Sequence, residues 1–217
     1  MNGIIFQAGD KSYQSFFDIT SPAAKKYAQI INCDYKLFLN KDENLDRHIS
    51  WYKIFILIGL LQKYDWVFLL DGDALILNFD INITKCLSSN HHIYACSDSI
   101  STKYFNAGAI MFKSTSLTKH FVENVINTPY TQFHHDRNWE QNAMHAEIDE
   151  NPSFYEDKIK VFPAHLFNHD GKFIFHPAFQ ETLTDNEKLA MLKQKKDSDQ
   201  TKLRKEWVTW IEQMLSF

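Results

Sequence analysis

The sequence predicts an α/β fold with a mostly parallel central sheet flanked by helices and a helical segment at the C-terminal end. Three observations carry this. The run Trp66 to Leu70 is unbroken apolar sequence bounded by Asp65 and Asp71, too short for a helix, so it reads as a strand buried on both faces of a parallel sheet. Ahead of it, short apolar runs alternate with stretches of helical period, the order that builds βαβ units. Behind it, Asp185 to Phe217 is rich in Lys, Glu and Gln, with Leu189, Leu192, Leu203, Trp207, Trp210, Ile211 and Leu215 at helical spacing.

Taken in order, Gly3 to Phe6 is a first strand, and Gln7-Ala8-Gly9-Asp10 is the loop at its carboxyl end. Thr20 or Ser21 caps a helix with Pro22 at its first position, because proline is pre-organised there and the missing N–H costs nothing. Tyr35 to Leu39 is the second strand. A helix from Ile49 to Tyr64, apolar almost all round, packs on the sheet and feeds Trp66. Further strands are expected at Ile93–Cys96, at Tyr104–Phe112 after a small-residue turn, at Ile159–Phe162 and at Phe173–Phe175. Helices are expected at Leu117–Ile126 and Trp139–Ile148. No repeat, linker or composition break divides the chain, which reads as one domain over residues 1–217.

Composition excludes several classes. A formal charge of -4 leaves no basic stripe for phosphates, so nucleic acid is not the expected partner. The three cysteines, Cys33, Cys86 and Cys96, form neither a metal spacing nor a disulfide framework, which suits a reducing compartment. No secretory leader opens the sequence, and the longest apolar run, Ile54 to Leu61, falls well short of the roughly 20 residues of a transmembrane helix. A soluble, cytoplasmic protein is the expectation. The C-terminal segment has two readings: helices packed on the sheet edge, or a Lys-rich face with Trp207 and Trp210 making peripheral contact with an anionic membrane.

The chemistry centres on Asp71-Gly72-Asp73, which closes the apolar strand. Period-2 geometry sets Asp71 and Asp73 on one side of an extended chain, and Gly72 between them lets a ligand come close. An Asp-Gly-Asp also makes an ordinary turn. Here, however, apolar sequence resumes at once with Ala74 to Leu77, and the carboxyl ends of parallel strands are where open α/β sheets bind ligands. Two carboxylates held together there repel unless a cation lies between them.

Other candidates follow. Asn106-Ala107-Gly108 offers an amide and a backbone that a ligand can approach, or a plain tight turn. Trp139-Glu140-Gln141-Asn142 puts a carboxylate and two amides at a helix start, where they also serve the helix dipole. His176 ends a Phe-rich strand, and an imidazole there can complete a carboxylate metal site.

The order of these segments, Asp71-Gly72-Asp73, then Phe105-Asn106-Ala107-Gly108, then Trp139-Glu140-Gln141-Asn142-Ala143, then Phe175-His176, resembles metal-dependent glycosyltransferases of the GT-A fold. Within them it is similar to glycosyltransferase family 34, the plant xyloglucan xylosyltransferases and fungal galactosyl- and mannosyltransferases. The resemblance spans Trp51 to His176 and includes Lys160-Val161-Phe162-Pro163 and Leu166-Phe167-Asn168.

It implies transfer of a hexose or pentose from a nucleoside-diphosphate sugar, with UDP favoured, to a glycan, glycoprotein or glycolipid acceptor, with retained configuration. Asp71, Asp73 and His176 would hold Mn²⁺ or Mg²⁺. Asp71, Gly72, Asn106, Ala107 and Gly108 would line the donor, Glu140 and Gln141 would face the reacting carbon, and Gln7, Ala8, Asp10 and Tyr13 would receive the nucleoside. The chain departs from the family after its histidine, with His176-Pro177-Ala178-Phe179 where relatives carry Phe or Val and Gly. It also lacks the membrane anchor and stem of eukaryotic relatives, which implies a compact bacterial or viral member or an excised catalytic domain. Two rivals stand beside this reading. One is a phosphohydrolase of the haloacid dehalogenase type, although its Asp pair normally sits on the first strand. The other is a sugar-nucleotide-binding protein without turnover.

Overall fold

The structure, a computed structural model, describes residues 1–40, 46–98, 101–135, 139–166, 168–177, 183–197 and 205–216. The chain runs through β1 (Gly3–Gly9), α1 (Gln14–Ile30), β2 (Asp34–Leu39), α2 (Tyr52–Leu60), β3 (Trp66–Leu70), β4 (Leu75–Ile76), β5 (Ile93–Asp98) and β6 (Ser101–Lys113). It continues with α3 (Ser116–Ile126), α4 (Trp139–Glu150), α5 (Pro152–Tyr155), β7 (Ile159–Phe162), β8 (His169–Asp170), β9 (Ile174–His176), α6 (Asp185–Asp197) and α7 (Lys205–Ser216).

Six strands form the central sheet in the order β2-β1-β3-β6-β5-β7. Pairing is parallel at β2–β1, β1–β3 and β5–β7, while β6 runs antiparallel to both β3 and β5. The expected α/β class with a mostly parallel sheet and flanking helices is therefore the observed one. All five residues of β3 are buried, as its unbroken apolar sequence requires. Successive side chains go to opposite layers. Trp66, Phe68 and Leu70 join Ile5, Tyr27 and Met111 on one face, and Val67 and Leu69 join Ile4, Phe6, Ile54, Leu57 and Phe121 on the other.

Several expected element boundaries need correction: β1 runs on through Gln7-Ala8-Gly9, expected as loop, and the helix expected over Ile49–Tyr64 is α-helical only at Tyr52–Leu60. The first helix starts at Gln14, so Pro22 lies inside it rather than at its first turn. An internal proline costs about 3 kcal/mol. Burial of Phe16, Phe17 and Ile19 ahead of it, at about 1.5–3 kcal/mol each, more than offsets that. The expected turn at Asn106-Ala107-Gly108 is instead part of the long strand β6. The β5–β6 register steps from Ala95↔Ile110 to Cys96↔Asn106, leaving Ala107, Gly108 and Ala109 as a bulge, while Ala109 stays paired with Leu70 of β3. Small side chains let the strand buckle there without a clash.

A second, three-stranded antiparallel sheet, β4-β9-β8, sits at the carboxyl end of β3. Leu75 pairs with Phe175 and Ile76 with Ile174, so the next residue of β9, His176, comes level with the Asp71-Gly72-Asp73 segment. Helix α6 seats Leu189, Met191 and Leu192 against Phe16, Ile19, Leu75 and Phe175. In α7, Ile211 and Leu215 are buried against Ile81, Ile83 and Leu87, whereas the side chains of Trp207 and Trp210 lie outside the described residues. Among the described residues no helix is long and apolar enough to cross a membrane.

Candidate active site

Asp71, Asp73 and His176 meet at the carboxyl end of β3, with one ligand-type atom from each lying within 4.8 Å of the others. His176 Nε2 is 3.1 Å from Asp73 Oδ1 and 3.9 Å from Asp71 Oδ2. On the other side of the ring, Nδ1 donates to Asn168 Oδ1 at 3.2 Å, and Asn168 in turn donates to the Ser97 carbonyl at 3.2 Å, which fixes the amide's orientation. With Nδ1 committed to Asn168, Nε2–H donates to Asp73 in the metal-free protein, and a cation bound between the carboxylates would take the place of that proton on the Nε2 lone pair. Two carboxylates and one such imidazole form an oxygen-rich set of the kind that suits Mn²⁺ or Mg²⁺, so the residues fit a divalent cation.

Gly108 is needed for this assembly. A Cβ there would stand 2.1 Å from His176 Cε1 and 2.8 Å from Asn106 Oδ1. The bulge also supports the loop, since the Gly108 carbonyl accepts from Asp71 N at 2.7 Å.

Lys53 is the residue the sequence did not reveal. It projects from α2, is 5 % exposed, and its Nζ lies 2.5 Å from Asp71 Oδ1 and 2.8 Å from Glu140 Oε1, with the Ala107 carbonyl at 3.4 Å. Burial alone would lower the Lys53 ammonium, but the charges of Asp71 and Glu140 outweigh it and the net shift is upward, so Lys53 stays protonated. The signal was present: a lone cation within an otherwise apolar helix is buried only with a counter-charge. Glu140, also buried, uses one oxygen for Lys53, while Oε2 has no hydrogen-bond partner among the described residues.

Burial raises Asp71, with Lys53 and His176 opposing. For Asp73 burial acts the same way, but the charge of His176 and its hydrogen bond prevail and the carboxyl is held below its usual range. His176 shifts reciprocally: burial would lower it, and Asp73 raises it above its ordinary value.

These groups floor a cleft of about 280 Å³. The lining also includes Ala8, Gly9, Tyr13 and Phe16, Ile49, Ser50 and Trp139, and Asp185 and Lys188 of α6. Tyr13 is pushed up to about 12 by burial and by the nearby Asp73, Asp71 and Asp185 charges. Trp139 is stacked on His48, the rings 3.6 Å apart and 6° from parallel.

Of the residues singled out from sequence, Ala8, Tyr13, Asp71, Gly72, Asp73 and Glu140 line the cleft. His176 is buried behind Asp73. Gln7 is also buried: its amide donates to the Asp71 carbonyl at 3.0 Å and to Thr20 Oγ1 at 3.1 Å, and Thr20 donates to the Gly72 carbonyl at 2.8 Å. Gln7 thus braces the Asp71-Gly72-Asp73 loop from beneath. Asp10 caps the turn entering α1 by accepting from Ser12 N. Gln141 accepts from Ala107 N at 2.8 Å, and Asn106 accepts from Gly108 N at 2.8 Å, so both satisfy the backbone of the bulge.

No protein-family model matches the chain, and no curated protein matches its sequence. Solved structures match its fold. A glycosyltransferase involved in glycosylation of the major capsid of PBCV-1 superposes with a TM-score of 0.67 at 14% identity, covering 89% of this chain and 98% of that one. The galactosyltransferase LgtC, solved with donor and acceptor sugar analogs, gives 0.56 at 11% identity over 94% and 98% of the two chains. A mutant of Drosophila beta-1,4-galactosyltransferase 7, in complex with manganese, UDP-Gal and xylobiose, gives 0.53 at 12% identity over 96% and 79%. The chain has the GT-A glycosyltransferase fold.

Proposed function

We propose that this protein is a metal-dependent glycosyltransferase that moves a hexose or pentose from a nucleoside-diphosphate sugar to a glycan acceptor with retention of configuration. The observation that carries the reading is the convergence of Asp71 and Asp73, which line a cleft at the end of β3, with His176 of β9 buried behind them, in a GT-A fold. The family 34 assignment rests on the order of the motifs around that convergence.

Asp71, Asp73 and His176 would hold Mn²⁺ or Mg²⁺, which when bound neutralises the donor's phosphates and acts as a Lewis acid. Asn168 keeps the His176 tautomer fixed, and Gln7 and Thr20 keep the loop carbonyls in place. Lys53 balances Asp71 and Glu140, so the site holds its carboxylates together before any ligand arrives.

As the bond from the anomeric carbon to the phosphate oxygen breaks, its electron pair goes to the departing diphosphate. The acceptor hydroxyl oxygen forms the new bond, and its proton passes to that same departing phosphate. Glu140 supports the oxocarbenium-like charge through Oε2, which has no hydrogen-bond partner among the described residues. Gln141 and Asn106 hold the bulge that shapes the sugar side of the cleft. Ala8, Gly9 and Tyr13 form the surface for the nucleoside, with uridine favoured. Incubation with a panel of UDP- and GDP-sugars, with and without Mn²⁺, tests the reading by which donor is consumed.

A further inference from the structure

We infer that Lys188, on helix α6, is a cation that binds the leaving diphosphate, so that α6 forms part of the donor site. This rests on the donor reading above. Among the described residues the cleft is lined by two lysines, Lys53 and Lys188. Lys53 is already committed: it is buried, paired with Asp71 and Glu140, and bonded to the Ala107 carbonyl. Lys188 makes no ion pair with any described residue, is half-buried at the cleft wall, and is close enough to Asp73 for its charge to act on that carboxylate.

Its position is built rather than incidental. The next residue, Leu189, together with Met191 and Leu192, seats α6 on Phe16, Ile19, Leu75 and Phe175. Leu75 and Phe175 belong to the strands that carry Asp73 and His176 into place, so the packing that forms the metal-ligating cluster also fixes Lys188 over it. The lining carboxylates Asp71, Asp73, Glu140 and Asp185 outnumber these lysines, so a diphosphate entering beside a divalent ion still meets an acidic wall. The Lys188 ammonium offsets that wall, and its effect grows as the C–O bond breaks and the diphosphate gains charge.

The test uses the whole chain and calorimetric titration of inorganic pyrophosphate with Mn²⁺, which needs no knowledge of base or sugar, alongside UDP with Mn²⁺. Lys188→Met should weaken both ligands by the same factor, about tenfold or more. Lys188→Arg should recover much of the loss, and Lys193→Met, at an exposed position of the same helix, should change neither. Binding of Mn²⁺ alone should not weaken in Lys188→Met. Circular dichroism of the variants confirms that α6 is retained. Wild-type affinity for pyrophosphate in Lys188→Met, or an equal loss in Lys193→Met, overturns the inference while leaving the donor reading intact. Failure of the wild-type chain to bind either ligand with Mn²⁺ overturns both.

Discussion

His176 Nε2 lies 3.1 Å from Asp73 Oδ1 although the two residues are 103 positions apart in the chain. The contact exists because β9 pairs with β4 in a small sheet whose first strand starts just after Asp73. Substituting Asp73 by Ala should abolish detectable Mn²⁺ binding and Mn²⁺-dependent UDP binding, a loss of about 100-fold or more given that even outer partners of a metal site cost 10–100-fold. The fold should persist, as circular dichroism and an unfolding curve would show, because the carboxylate lies at the cleft rather than in the apolar layers.

The same pair sets a pH dependence with opposite signs for stability and for metal binding. His176 has a raised pKa in the folded chain, since the Asp73 charge outweighs burial. The stability this supplies is complete below the unfolded histidine value and is lost as pH rises through the folded one. Metal must displace that proton, so Mn²⁺ affinity should climb over the same range and level off above it. Melting of the metal-free chain across pH, paired with Mn²⁺ titrations, checks both slopes; parallel slopes would contradict the arrangement.

Lys53→Met should destabilise the chain by about 3–5 kcal/mol, the cost of leaving a buried charge without its partner. Asp71 and Glu140 would then face each other uncompensated, so the penalty should shrink on acidification as carboxylates take up protons. Urea unfolding at neutral and acid pH measures it. Mn²⁺ should stabilise this variant more than the wild-type chain, because the ion restores positive charge beside Asp71.

Gly108→Ala places a methyl group where His176 Cε1 would be 2.1 Å away, so the ring must move. Overpacking of this kind costs about 1–3 kcal/mol. The informative readout is Mn²⁺ affinity, which should fall more than in Ala107→Gly, a change that removes volume from the same bulge.

Much of this was legible in the sequence, and the rest failed for identifiable reasons. The apolar run Trp66–Leu70 ending in two aspartates located the floor of the site because burial on both faces leaves a plain compositional mark. His176 was found through motif order, as the pairing of β9 with β4 has no local signal. Pro22 misled about the start of α1, where burial of Phe16 and Phe17 outweighed a local rule. The bulge in β6 read as a turn because Ala-Gly-Ala is equally compatible with both. Lys53 could have been found by asking what neutralises a single cation in an apolar helix. Asp185 and Lys188 could not, since an amphipathic helix does not reveal which of its charges faces a cleft.

The central claim is tested most directly by donor turnover under metal control. Purified chain should consume one nucleoside-diphosphate sugar, with UDP-sugars tried first, when Mn²⁺ is present. Activity should vanish in excess chelator, return on adding Mn²⁺, and be absent in Asp73→Asn and His176→Ala. Undiminished turnover in excess chelator, or turnover of a phosphate monoester with no binding of any nucleoside diphosphate, would contradict the account.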